Sequence, residues 1–165
     1  MRHIFGKVLV KYQINYFMKS NTRLIYIVDD DPDDRQIILD AFLEKSPQID
    51  YVFLENAETL METLYAAEAE LPALILLDLN MPGMLGLHAL KEIRANRVFS
   101  QIPIIVLTTS TLHQDRKMSY ELGASCFLRK PDSFVELVEI TDCIVKLWLH
   151  EYHHPQTQFP PAEKL

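Results

Sequence analysis

Cysteine and glycine are both scarce in this chain. Two cysteines among 165 residues, Cys126 and Cys143, exclude a disulfide scaffold and fit a reducing compartment, so a cytoplasmic location is expected. Both are expected as small buried apolar residues rather than a redox pair. Four glycines argue against a glycine-rich phosphate cradle, and neither a Walker-type nor a GxGxxG motif occurs. The longest apolar runs, such as Leu74–Leu77 and Ile104–Leu107, fall far short of the ~20 residues that span a bilayer, so no membrane association is expected. The remainder is ordinary: 48% hydrophobic and 24% charged residues, which exclude a disordered chain and fit one soluble domain with a core.

Acid exceeds base, with a net charge of -7, and the excess is uneven. Arg2, Lys7, Lys11, Lys19 and Arg23 are the only charged residues in the first 23, leaving eleven of the 16 bases against all 23 acids beyond them. A body so acidic is repelled by a phosphate backbone, and no nucleic-acid partner is expected. Residues 1–22 read as a basic N-terminal extension, with two readings open. One is an amphipathic surface helix over Ile4–Phe17; the other is an upstream arm before a start at Met18. Residues 23–150 read as a single domain. Residues 151–165, with Pro155, Pro160 and Pro161, read as a tail too short for an output domain.

From Arg23 onward two patterns alternate. Leu24–Val28 is a β-branched apolar run, which reads as a strand buried on both faces. Asp31-Pro32 follows as an N-cap with proline at the first helical position, and Ile38, Ala41 and Phe42 recur at helical spacing before Pro47. The cycle repeats with strands at Tyr51–Leu54, Ala73–Leu77, Ile104–Leu107 and Ser125–Leu128. Helices are predicted at Ala57–Ala69, Leu87–Ala95, Gln114–Leu122 (stopped by Gly123) and Ser133–Leu149. Five β-α units imply a three-layer α/β fold around a doubly wound parallel sheet. Right-handed crossovers leave few topologies, one of them the flavodoxin-like strand order 2-1-3-4-5.

In such sheets ligands bind beyond the carboxyl ends of the strands. Strand one ends in Asp29, Asp30 and Asp31, strand three in Asp78-Leu79-Asn80, strand four in Thr108-Thr109-Ser110, and strand five in Lys130-Pro131. The strand order brings these ends together. Converging carboxylates repel one another, and a hard all-oxygen set of few ligands suits Mg²⁺. Lys130 and Thr108 add donors suited to an oxyanion. The chemistry implied is a carboxylate acting as nucleophile toward phosphorus. Taken singly, Asp31, Asp33 and Asp34 read as a solvated helix-capping turn.

The segments Tyr26–Asp31 (YIVDDD), Leu74–Gly83 (LILLDLNMPG), Pro103–Ser110 (PIIVLTTS) and Gly123–Pro131 (GASCFLRKP) carry a resemblance. Residues 24–149 resemble the receiver domain of two-component response regulators. The resemblance implies that Asp78 is the phosphoacceptor and that Asp30 ligates Mg²⁺ directly. It implies that Asp29 holds the ion mainly through water and that the main-chain carbonyl of Asn80 completes the set. Thr108 would hydrogen-bond the phosphoryl group, Lys130 would pair with one of its oxygens, and the Lys130–Pro131 peptide would be cis. Phe127 falls at the family's aromatic switch position, with packing in an edge strand as the equal alternative. The phosphodonor would be a sensor histidine kinase or a histidine phosphotransfer protein. LDLN and LTTS also resemble stand-alone regulators paired with phytochrome-type or other hybrid sensor kinases.

Two departures stand out. Met84-Leu85-Gly86 is apolar where the family often has an acid or amide, and Phe127 lacks the hydroxyl of the commoner tyrosine. Trp148, Leu149 and Tyr152 invite a homodimer or partner surface on the last helix, against a plainer reading of Trp148 as core and Tyr152 as surface. His150, His153 and His154 lack a convincing partner for a zinc site. Two other function classes fit less well. An aspartyl phosphohydrolase needs a second acid two residues after the nucleophile, where Asn80 stands. A constitutive scaffold would tolerate loss of Asp29, Asp30, Asp78, Thr108 or Lys130, and none is lost. The expected role is a phosphoacceptor switch rather than an enzyme with turnover of an external substrate.

Overall fold

The computed structural model describes residues 24–66, 70–82 and 85–149. Strands β1 (Leu24–Val28), β2 (Asp50–Leu54), β3 (Leu74–Leu77), β4 (Ile104–Thr108) and β5 (Cys126–Arg129) alternate with helices α1 (Pro32–Leu43), α2 (Ala57–Tyr65), α3 (Gly86–Ala95), α4 (His113–Glu121) and α5 (Phe134–Ile144). All pairings are parallel, in the order β2-β1-β3-β4-β5, as the alternating pattern predicts. The basic extension, residues 67–69, Gly83, Met84, the His150–His154 group and Tyr152 lie outside the described residues.

Each central strand is apolar on both faces because helices cover both. Tyr26, Val28, Ile75, Leu77 and Ile104 point into one core, which α2 fills with Leu60 and Leu64 and α3 with Leu90 and Ile93. The alternate residues Ile25, Ile27, Leu74, Leu76, Ile105 and Leu107 point into the other, against Ile38 and Phe42 of α1 and Leu137 and Ile144 of α5. This period-two split is the strand geometry itself. Thr141 joins the second core through its hydroxyl, which donates to the Ala41 carbonyl at 3.2 Å and so ties α5 to α1. Its polarity concealed it in the apolar pattern.

Helix boundaries follow local chemistry. Asp31 caps α1, accepting from the backbone N–H of Asp33 at 2.8 Å, with Pro32 as the first helical residue. Asn56 and Thr59 form a reciprocal capping box at α2. Gly123 ends the α4 segment with φ 93°, a conformation that favours glycine. Arg94 at the end of α3 donates to the carbonyls of Gly123 (2.7 Å), Ile102 (2.9 Å) and Ser100 (3.2 Å). One guanidinium thereby fixes two loops.

Two expectations change at the C-terminal end. The last helix is regular only to Ile144 and continues as a π-helical turn over Val145–Leu149. Cys126 is half-buried and Cys143 exposed, both as free thiols. Cys143 lies about 100° around α5 from Ile144 and so leaves the buried stripe formed by Leu137, Thr141 and Ile144. Trp148 is half-buried and packs against the second core.

Position within the core sets the expected cost of truncation. Leu90→Ala, at a fully buried site, should lower the unfolding free energy by about 2–5 kcal/mol. Leu147→Ala, at a side chain 64% exposed, should change it by less than about 0.5 kcal/mol. Urea midpoints at unchanged slope for the two variants check both.

Candidate functional site

The register brings the chemistry-bearing residues to one edge of the sheet. Val28 pairs with both Leu54 and Leu77, so the next residues, Asp29 and Asp78, leave their strands at the same level. The Asp29 amide donates to the Leu54 carbonyl at 3.0 Å and the Asp78 amide to the Val28 carbonyl at 2.9 Å. Thr108 closes β4 opposite Arg129 of β5, and the Lys130 amide donates back to the Thr108 carbonyl at 2.8 Å. Four strand ends are thus fixed by main-chain bonds alone.

Carboxylate oxygens of Asp29, Asp30 and Asp78 lie within 4.8 Å of one another. Asp29 and Asp78 are only 2% and 4% exposed, whereas Asp30 faces solvent. Asp29 accepts from the Asp31 amide at 3.0 Å on Oδ1 and from Lys130 Nζ at 2.6 Å on Oδ2, and Arg35 donates to its carbonyl. Burial pushes the Asp29 carboxyl up, with the Asp78 charge adding to it, despite the hydrogen bond and charge of Lys130. Asp78 Oδ1 accepts from the Leu79 amide at 2.8 Å, while Oδ2 lies 3.9 Å from Lys130 Nζ.

Lys130 is the cation of this cluster. Burial alone would lower its ammonium, but hydrogen bonds to Asp29 and Asp34 and the charges of Asp29 and Asp78 outweigh that and hold it above its usual value. Thr108 is fully buried, and its hydroxyl oxygen accepts from the Ser110 amide at 3.3 Å. Asn80 is exposed, and its side-chain amide donates to the Thr109 hydroxyl at 3.1 Å, bridging the loops after β3 and β4. Phe127 is half-buried in edge strand β5 opposite Val106, and its amide donates to the Tyr120 hydroxyl at 3.2 Å.

Residues 25–142 match the response regulator receiver domain. The chain belongs to the response regulator receiver family. It is 30% identical over 131 residues to the response regulator Rcp1 of Synechocystis sp., covering 77% of this chain and 89% of that protein. The crystal structure of the phosphorylated cyanobacterial phytochrome response regulator RcpA superposes with a TM-score of 0.73 at 31% identity, covering 78% of this chain and 94% of that one. The Mn²⁺-bound form of Rcp1 does so with 0.70 at 32% identity, covering 78% and 95%. Receiver domains of this family are signalling switches.

Three features of this receiver domain differ from the sequence reading or were missed by it. Asp34, taken there as a solvated helix-capping acid, lies 2.6 Å from Lys130 Nζ; its spacing from Asp31 marked it only as a first-turn acid. The Lys130–Pro131 peptide, expected cis, is trans, since no cis peptide occurs among the described residues. Trans is the lower-energy isomer of an X–Pro bond by about 0.5–1 kcal/mol, and in it the Lys130 ammonium already reaches Asp29. Gly86, noted only as the end of the apolar loop, is required by contact: a Cβ there would stand 2.4 Å from the Asp78 carbonyl oxygen and 3.0 Å from Leu79 Cα. Its neighbour Leu85 is exposed.

The clash is with backbone of the Asp78–Leu79 segment rather than with the end of a flexible side chain. Gly86→Ala should therefore cost about 1–3 kcal/mol, as overpacking does, and should displace the Asp78–Leu79 segment. A lowered urea midpoint together with a shifted Leu79 amide resonance checks it; an unchanged midpoint overturns it.

Proposed function

We propose that Asp78 accepts a phosphoryl group from a sensor histidine kinase or histidine phosphotransfer protein and that the new charge alters which proteins this domain binds. The observation that carries this is the Asp78 carboxylate: nearly buried at the end of a central strand, beside two further aspartates, with the Lys130 ammonium 3.9 Å from its Oδ2. In the transfer, an Asp78 oxygen forms a bond to phosphorus as the phosphorus–nitrogen bond of the donor phosphohistidine breaks. The imidazole leaves with that electron pair and needs no proton from Asp78. Rate comes from positioning and from neutralising charge on the equatorial phosphoryl oxygens.

Lys130 supplies one such positive charge. Thr108 supplies a hydroxyl donor once it turns from the Ser110 amide toward the phosphoryl group. Because Thr108 is buried and bonded into the loop before α4, that turn shifts the loop. Phe127 stands on the neighbouring strand as the aromatic that follows, with no hydroxyl to fix its inward position. Three carboxylates packed this closely, one of them open to solvent, fit a divalent cation with retained waters. Asp29, Asp30, Asp78 and the Asn80 carbonyl would hold Mg²⁺, which when bound supplies further positive charge against the phosphoryl oxygens. The metal in the Rcp1 structure and the phosphorylation of RcpA support the same reading.

The readout is protein–protein binding. Met118 and Tyr120 on α4, and Val135 and Leu147 along the last helix, are exposed apolar side chains on the elements next to the Thr108 loop and Phe127. These exposed apolar side chains suit contact with a partner or a second copy of the chain. The acidic body disfavours nucleic acid, and among the described residues no helix is long and apolar enough to cross a membrane.

Intact mass after incubation with acetyl phosphate tests the phosphoacceptor. One base-labile phosphoryl adduct, dependent on Mg²⁺ and absent from Asp78→Asn, is expected; an adduct that persists in Asp78→Asn, or none in the wild type, overturns the reading. Mg²⁺ should also stabilise the native state alone, by about 2.7 kcal/mol at a hundredfold excess over Kd. Thermal unfolding with and without the ion measures this, and the Asp78→Asn variant should gain less from it.

A further inference from the structure

Lys130 does not rest on Asp78. Its ammonium makes two charge-assisted hydrogen bonds of 2.6 Å, one to Asp29 and one to Asp34, while Asp78 lies at 3.9 Å, beyond hydrogen-bond reach. The side chain is only 12% exposed, so the surrounding carboxylates rather than water decide where the ammonium sits. We infer that Asp34 is a positioning residue that competes with the phosphoryl group for Lys130 and thereby slows phosphorylation of Asp78. This rests on Asp78 being the phosphoacceptor.

The two contacts are unequal. Asp29 is buried and also held by the Asp31 amide, with Arg35 on its carbonyl, so its bond to Lys130 stays in place. The Asp34 carboxylate is 39% exposed and can be rehydrated when released, which makes it the contact that gives way. Asp34 is nevertheless no freely moving surface acid. It stands in the first turn of α1, where the Asp31 side chain accepts its amide at 3.4 Å, and this holds the carboxylate over the strand ends. The third ammonium proton is free, but the two 2.6 Å bonds hold Nζ 3.9 Å from Asp78, so moving it onto a phosphoryl oxygen there stretches the weaker bond, the one to Asp34. An ordinary first-turn acid would instead affect only helix stability.

The test is the rate of adduct formation from acetyl phosphate at saturating Mg²⁺, followed by intact mass. In that transfer an Asp78 oxygen bonds phosphorus, the phosphorus–oxygen bond to the acetyl group breaks, and acetate leaves with the electron pair. Asp34→Ala should react about twofold to fivefold faster than wild type, the scale of one partly exposed ion pair. Asp34→Glu, which keeps the carboxylate, should return the rate toward wild type. In a Lys130→Met background Asp34→Ala should change nothing, because the competed-for ammonium is gone; loss of simple repulsion between Asp34 and the anionic donor would persist there. An Asp34→Ala rate equal to or below wild type overturns the inference while leaving the phosphoacceptor reading intact. So does an equal acceleration in the Lys130→Met background. Absence of any adduct in the wild type overturns both.

Discussion

Asp29 and Asp78 are carboxylates held at adjacent strand ends, almost out of water, with Asp30 beside them and the Lys130 ammonium as the cation among them. Such an arrangement is electrostatically costly, because like charges repel and burial removes the hydration that would screen them. The direction of the Asp29 shift records that cost. Added positive charge would relieve that repulsion. The rest of the domain holds these groups in place against their repulsion.

That restraint comes from the parallel sheet. Main-chain bonds from Asp29 to Leu54, from Asp78 to Val28 and from Lys130 to Thr108 fix each residue before its side chain makes any contact. Two apolar cores, one on each face, keep the central strands from shifting register, since a slip of one residue would turn every buried side chain to the wrong face. The helices on the two faces are not equivalent. α1 and α5 are tied by the Thr141 hydroxyl and share the second core, whereas α4 buries only Ser119 among its own residues. An element held by so little apolar burial is suited to respond to a change at Thr108.

Local signals in the sequence were strong where one short-range rule acted alone. The β-branched runs, the Asp31-Pro32 cap and Gly123 each state their structure within a few residues, and the placement of acids, threonine and lysine at strand ends followed once the strands were assigned. Cys143 misled, and Thr141 went unnoticed, for the opposite reason: which side of α5 faces α1 depends on packing, and residue type alone does not reveal it. The receiver resemblance placed Asp78, Lys130 and Thr108, but it could not say where a flexible lysine side chain would settle among several carboxylates.

The amino-acid sequence by itself determined the β-α alternation, the strand order's small set of options and the acids at the strand ends, because hydropathy period and capping chemistry are local. Tertiary structure alone decided that Asp34 shares Lys130 with Asp29 and that Gly86 must be bare beneath the Asp78 carbonyl. Each of these depends on the distance between segments remote in the chain or on the fit of a loop against them. Such distances exist only after the sheet has closed.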